Sequence, residues 1–127
     1  MKVRKIVVDS DIIVDHLVTN KQRSALRILM EQYFCYTTVF NAIELFSLAK
    51  TKKEMQAVDD AMGAMKVLGL NSKSAKNIGP LFAGDLSLTG LIAGVCIESK
   101  LPIVTRRASR FKKFPKVKVL SLRDLIN

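Results

Sequence analysis

The chain has 127 residues, 49% of them apolar, and a formal net charge of +10. This fits one domain with a core of its own and excludes a disordered polymer. No apolar run approaches the roughly 20 residues that span a bilayer. The N-terminal apolar stretch is short, β-branched and broken by Asp9 and Asp11, unlike a signal peptide. A cytoplasmic protein with no membrane partner is expected.

Taken in chain order, Val3 to Val8 reads as a buried strand, β-branched and apolar. Asp9 to Asp11 offers helix N-caps, and Ile12, Ile13 and Leu17 follow as a helical stripe. Ala25, Leu26, Ile28 and Leu29 mark a second helix. Tyr33 to Thr38 is rich in aromatic and β-branched residues and reads as a strand. Phe40 to Lys50 is helical. Another helix is expected from about Lys53 to Val67, with Met55, Val58, Met62 and Met65 at steps of three and four. That stripe serves either as core or as a dimer or partner surface, because methionine packs adaptably. Leu68 to Leu70 suggests a short strand, and Ser72 to Phe82 a helix with Pro80 near its end. Ser87 or Thr89 opens a helix in which Gly90, Ala93, Gly94 and Cys96 permit close packing. Pro102 to Thr105 is a strand, Arg106 to Phe111 a short turn or helical piece, Val117 to Leu120 a last strand and Ser121 to Ile126 a terminal helix.

Strands alternate with helices throughout, with no repeat and no linker. The expected fold class is α/β: one domain over residues 1–127, with a central parallel sheet between two helical layers.

Few residues are suited to chemistry. Cys35 and Cys96 lie far apart, lack zinc-ligand spacing and read as small buried apolar residues. His16, the single histidine, reads as an exposed helix residue. Neither a soft-metal site nor a Cys–His nucleophile is expected. The acids number 11, so their positions matter. Asp9 ends an apolar strand, where an ionised carboxylate must be hydrogen-bonded, paired or bound to a cation. Strand carboxyl ends are also where open α/β sheets bind ligands. Glu44 sits on an apolar helix, with Asn41 one turn before it on the same face. Asp85 precedes the small-residue helix. Simpler roles exist: Asp9 or Asp11 as a helix cap, Glu44 paired with a lysine, Asp85 favoured by a helix dipole, Thr105 as a plain strand end. Carboxylates gathered from separate elements without His or Cys would form a hard-oxygen site suited to Mg2+ or Mn2+.

The positive charge is concentrated. From Glu98 to Asp124 no acid intervenes, while Lys100, Arg106, Arg107, Arg110, Lys112, Lys113, Lys116 and Lys118 all fall there. This is either a solvated face or a phosphate-backbone contact, and a carboxylate site beside it points to metal-assisted phosphodiester hydrolysis.

Four stretches, in this order, resemble the PIN-domain family and in particular the small VapC-like toxin ribonucleases of toxin–antitoxin pairs. They are Ile6 to Leu17, Thr37 to Leu45, Leu91 to Ile97, and Leu101 to Arg106 followed by Phe111. The resemblance covers nearly the whole chain. It implies a sheet whose strand ends gather acids around Mg2+ or Mn2+, cleavage of single-stranded RNA, a homodimer and an antitoxin partner. Carried over by position, Asp9 and Glu44 are the first two metal acids and Thr105 is the usual threonine after the fourth strand. The chain departs from the pattern at Thr89, where the third acid is expected, and at Arg107, where Asn or Asp is usual. Asp85, one helical turn before Thr89, and Asp11 are the candidates to supplement the cluster. The expected catalytic and metal residues are thus Asp9, Glu44 and Asp85. Ser10, Thr105, Arg106, Arg107 and Arg110 are expected to hold the RNA. The alternative is a PIN fold with an impaired site that binds RNA or an antitoxin.

Overall fold

The β-branched run at the start of the chain becomes the middle of the sheet. The computed structural model describes residues 4–19, 23–82 and 86–126. Strand β1 (Lys5–Val8) pairs in parallel with β2 (Phe34–Thr38) on one side and β4 (Ile103–Thr105) on the other. Strand β3 (Lys66–Leu68) extends the sheet beyond β2 and β5 (Val119–Ser121) beyond β4, giving the all-parallel order β3-β2-β1-β4-β5.

Both faces of this sheet are covered, which is why its central strands carry no polar alternation. Ile6, Val8 and Val104 point into one cluster, packed by helices α1 (Ser10–Val18), α2 (Ala25–Gln32), α3 (Val39–Leu48), α4 (Lys52–Gly63) and α7 (Leu122–Leu125). Val7 and Ile103 point the other way, onto helix α6 (Leu88–Ser99) and Phe111. Successive residues serving opposite layers is the period-2 rule of a strand at work. The three-layer α/β/α architecture expected from the alternation of elements is the one observed.

The order of strands decides where a site can form. The chain winds from β1 outward through β2 to β3, then returns to the other side of β1 to build β4 and β5. The crevice at the carboxyl ends of β1 and β4 is therefore a topological switch point, where no crossover covers the strand ends. Asp9 and Thr105 stand at that crevice.

Several boundaries differ from the sequence expectation. The helix expected to reach Val67 stops at Gly63, and Lys66–Leu68 leaves it to pair with Tyr36 to Thr38. The strand expected at Leu68 to Leu70 is thus shifted toward the N-terminus. Sheet pairing outweighs the local helical pattern, because backbone groups beside β2 gain partners there. Val58, Met62 and Met65 are buried and belong to the core, whereas Met55 is exposed. The helix expected from Ser72 to Phe82 divides into α5 (Ser72–Ile78) and a 3-10 turn (Gly79–Phe82), since Pro80 lacks the N–H that would continue it. The final strand begins two residues later than expected and ends one residue later. Cys96 is buried as expected, but Cys35 is only partly so. His16 is not a free surface residue: it is half-buried, with Nδ1 2.6 Å from Ser24 Oγ.

The glycines of α6 are needed for contact. A Cβ built at Gly94 would lie 2.6 Å from Ile78 Cγ2, and one at Gly90 2.7 Å from the Phe82 ring. Alanine at Gly94 gains about 1 kcal/mol of helix propensity against that clash. Valine adds two more methyl groups without that gain, so Gly94→Val is expected to lower stability by about 1–3 kcal/mol, read from the urea midpoint.

Candidate functional site

Asp9 is the centre of the site and is fully buried, at 0% exposure. It is the N-cap of α1, with Oδ1 accepting from Ser10 N at 2.8 Å. The cap alone does not explain it, since three further elements converge on the same carboxylate. Asn41 Nδ2 of α3 donates to Oδ1 at 3.1 Å, Thr105 Oγ1 at the end of β4 donates to Oδ2 at 2.8 Å, and Arg110 Nη1 donates to Oδ1 at 2.8 Å.

Each donor is held in place by local sequence. Thr38 caps α3 through a reciprocal box with Asn41, Asn41 Oδ1 accepting from Thr38 N and Oγ1. That box fixes the Asn41 amide, leaving its Nδ2 to reach Asp9 and Ser10 Oγ. Thr37 donates to the Val8 carbonyl at 3.0 Å and ties β2 to the end of β1. Arg110 rides on a 3-10 turn (Ala108–Phe111) anchored by Phe111, which is buried in the second cluster.

Glu44 lies one helical turn beyond Asn41 on α3, half-buried. Arg110 Nη2 donates to its two oxygens at 3.3 and 3.2 Å. Arg110 Nε donates to Thr89 Oγ1 on α6 at 3.1 Å. One guanidinium therefore links β1, α3 and α6, spending its fork of donors on Asp9, Glu44 and Thr89. Its side chain is only 12% exposed.

The other arginines of the segment also face acids. Asp11 Oδ2 accepts from Arg106 N at 3.0 Å and from Thr105 Oγ1 at 3.2 Å, with Arg107 Nε 3.5 Å away. Arg106 Nη2 donates to Asp15 at 3.3 Å. Arg107 N donates to Thr105 Oγ1 at 3.0 Å, which pins the loop to the strand end. Acids of α1 and α3 and guanidiniums of the 106–110 segment thus form one interlocked network.

The thiols stand outside this chemistry. Burial pushes the Cys96 thiol up to about 12, with the Asp9 charge adding to the effect, and burial pushes Cys35 up to about 11. Neither is a thiolate near neutrality. Burial, then the neighbouring Arg27 charge, lowers the pKa of His16.

No protein-family model matches the sequence, and no curated protein does either. Solved structures do. VapBC from Salmonella typhimurium, in its DNA-bound crystal structure, matches with a TM-score of 0.78 at 15% identity, over 94% of this chain and 98% of that one. VapBC2 from Rickettsia felis, bound to a promoter DNA fragment, matches with a TM-score of 0.73 at 18% identity, over 92% and 98%. VapBC-1 from nontypeable Haemophilus influenzae matches with a TM-score of 0.73 at 13% identity, over 94% and 98%. The fold is that of a VapC-like PIN domain.

Within this PIN fold, the positions singled out in the sequence separate into three groups. Asp9, Ser10, Glu44, Thr105 and Arg110 meet at the switch point, joined by Thr89. Asp11, Arg106 and Arg107 form an adjoining set on the outer side of Thr105. Asp85 lies outside the described residues. Asn41 is the participant that sequence reasoning noticed only as a neighbour of Glu44. Its signal was present: a buried amide three residues after a capping threonine has one hydrogen-bonding end left over.

The residues described do not fit a divalent ion. Among the described residues no three carboxylate, His or Cys side chains gather around a common point. The carboxylates that do converge, Asp9 and Glu44, share a guanidinium instead. Asp11 Oδ1 is buried without a partner among the described residues, but Oδ2 of that carboxylate is held by Thr105, Arg106 and Arg107, and Asp11 does not join Asp9 and Glu44 around a common point.

Proposed function

We propose that this chain is a toxin-type PIN module that binds single-stranded RNA and pairs with an antitoxin, and that it does not hydrolyse RNA with its site in the arrangement described. The observation that carries this reading is the Arg110 guanidinium lying between Asp9 and Glu44, where metal-assisted hydrolysis would need a cation with open coordination positions. RNA binding is supported by the net charge of +10 and by the exposed lysines Lys112, Lys116 and Lys118 beyond the site. The three arginines of the segment are already turned to carboxylates, so the lysines are the freer phosphate contacts. Two further structures of similar fold, a toxin–antitoxin complex from Klebsiella pneumoniae and VapBC-5 from Mycobacterium tuberculosis, a member of the VapBC family of toxin–antitoxin systems, support an antitoxin partner. Ile43 and Leu48 on α3 are exposed apolar side chains available to such a partner or to a second copy of the chain.

The test is anisotropy of a labelled single-stranded oligoribonucleotide, with the products run on a gel. About four phosphate contacts would weaken binding about 50-fold between 50 and 200 mM salt. Replacing Lys112, Lys116 and Lys118 with alanine is expected to reduce the logarithmic salt slope by about 2. Manganese or a chelator should leave the affinity unchanged. Failure to bind RNA at low salt would overturn the reading.

A Mg2+- or Mn2+-dependent endoribonuclease is the second reading, favoured by the meeting of Asp9 and Glu44 on one group. Cleavage in manganese by the wild type, lost in Asp9→Asn, would establish it in place of the first.

A further inference from the structure

We infer that Arg110 is a resident counter-cation, built into the chain, that holds the carboxylates of the strand-end hollow and makes that hollow indifferent to divalent metal. The inference rests on the reading above only in taking the ends of β1 and β4 as the functional site.

Three observations lead to it. The first is the geometry of the guanidinium. Its three nitrogens are all used, on Asp9 Oδ1, on both Glu44 oxygens and on Thr89 Oγ1. Thr89 stands where the resemblance expects a third acid, and here it accepts a hydrogen bond from the arginine rather than offering a negative charge. The second is fixation. The Arg110 side chain is 12% exposed, its backbone N donates to the Arg107 carbonyl, and the next residue, Phe111, is buried. An arginine set on a pinned turn with a core anchor beside it loses little freedom in holding this pose. The third is the arrangement of Asp11, a further carboxylate among the described residues. Asp11 directs Oδ2 to Thr105, Arg106 and Arg107 rather than to the hollow.

The consequence follows from charge. A divalent ion entering beside the guanidinium would meet a like charge at contact distance. An ion that displaced it would have to break the guanidinium's pairs with Asp9 and Glu44 to gain those same two acids, the ones that converge there among the described residues. A guanidinium also stays protonated at every pH at which a protein folds, so neither acid nor a chelator removes it. The hollow therefore keeps a cation that belongs to the polypeptide, one positive charge shared by its two acids.

The experiment uses the whole chain and manganese. In the wild type, manganese is expected to leave the melting temperature unchanged. It is also expected not to broaden the Arg110 Nε–H proton signal selectively. In Arg110→Ala, manganese is expected to raise the melting temperature and to bind about tenfold or more tightly than to the wild type. Adding Asp9→Asn in that background should abolish both effects. A wild type stabilised by manganese in an Asp9-dependent way would overturn the inference. So would an Arg110→Ala protein that folds and ignores manganese. If Arg110→Ala does not fold, the wild-type spectrum decides: selective broadening of Arg110 Nε–H by manganese overturns the inference, and its absence supports it. RNA affinity measured on the same samples keeps the two readings apart. Loss of RNA binding with an unchanged manganese result removes the proposed function alone, and a manganese response in the wild type with intact RNA binding removes this inference while leaving the RNA-binding part of the proposed function standing.

Discussion

Arg110→Ala is expected to destabilise the fold by about 3 kcal/mol, the lower end of the cost of breaking a buried ion pair from one side. Asp9 is at 0% exposure, so once its cation is removed only water entering the vacated space can take the cation's place. Its remaining donors, Ser10 N, Asn41 Nδ2 and Thr105 Oγ1, are neutral and only partly compensate a full negative charge. Glu44 is better placed: its side chain is 26% exposed and turns to solvent when released. That difference sets the estimate at the lower end. For a domain of this length the melting temperature should fall by about 10 °C. Urea denaturation at neutral pH is the direct measurement. A loss under 0.5 kcal/mol would mean that the guanidinium does not hold Asp9 in solution.

Asp9→Ala is expected to cost about 2–4 kcal/mol, part of it the loss of the α1 cap and part the donors left unpaired. Every donor to Asp9 except Ser10 N has a second partner. Asn41 retains Ser10 Oγ, Thr105 retains Asp11, and Arg110 retains Glu44 and Thr89. The cost is therefore spread over several small terms rather than one stranded charge. The double variant Asp9→Ala/Arg110→Ala should be more stable than the sum of the two losses predicts, by about 1–3 kcal/mol, because no buried charge remains without its partner. Strict additivity would show that the two side chains do not interact. The same cycle with Glu44→Ala should give a smaller coupling, since that contact is longer and closer to water.

An arginine in a carboxylate hollow differs chemically from an ion in the same place. A metal ion keeps exchangeable positions and can lower the pKa of a bound water. A guanidinium has only N–H donors, fixed in a plane, and no acceptor or open position. It offsets one of the two negative charges and fixes the orientation of both acids, and it has no position for a bound water to activate. On the proposed reading, the acids of the hollow join the end of β1, α3, α6 and the turn after β4, and Lys112, Lys116 and Lys118 contact the polyanion.

Much of this molecule was legible in the order of its residues. A β-branched run ending in Asp9, a largely apolar helix carrying Asn41 and Glu44, and strands alternating with helices gave the parallel sheet and two of the meeting points of the site. These are local signals: strand and helix periods differ, and a charged group in an apolar run is conspicuous wherever it falls. The boundary of α4 was not legible, because Lys66 to Leu68 reads as the tail of a helix until β2 offers its backbone groups. Nor were the partners of the arginines. Three arginines within five residues look alike in sequence, yet Arg106 turns to Asp15, Arg107 to Asp11, and Arg110 to Asp9 and Glu44. The sequence alone determined that acids and bases would crowd the carboxyl ends of β1 and β4. The tertiary structure alone decided which charge meets which: Asp9 and Arg110 lie 101 residues apart, and only the return of the chain across the switch point, with Phe111 seated in the core, carries that one guanidinium onto the buried carboxylate.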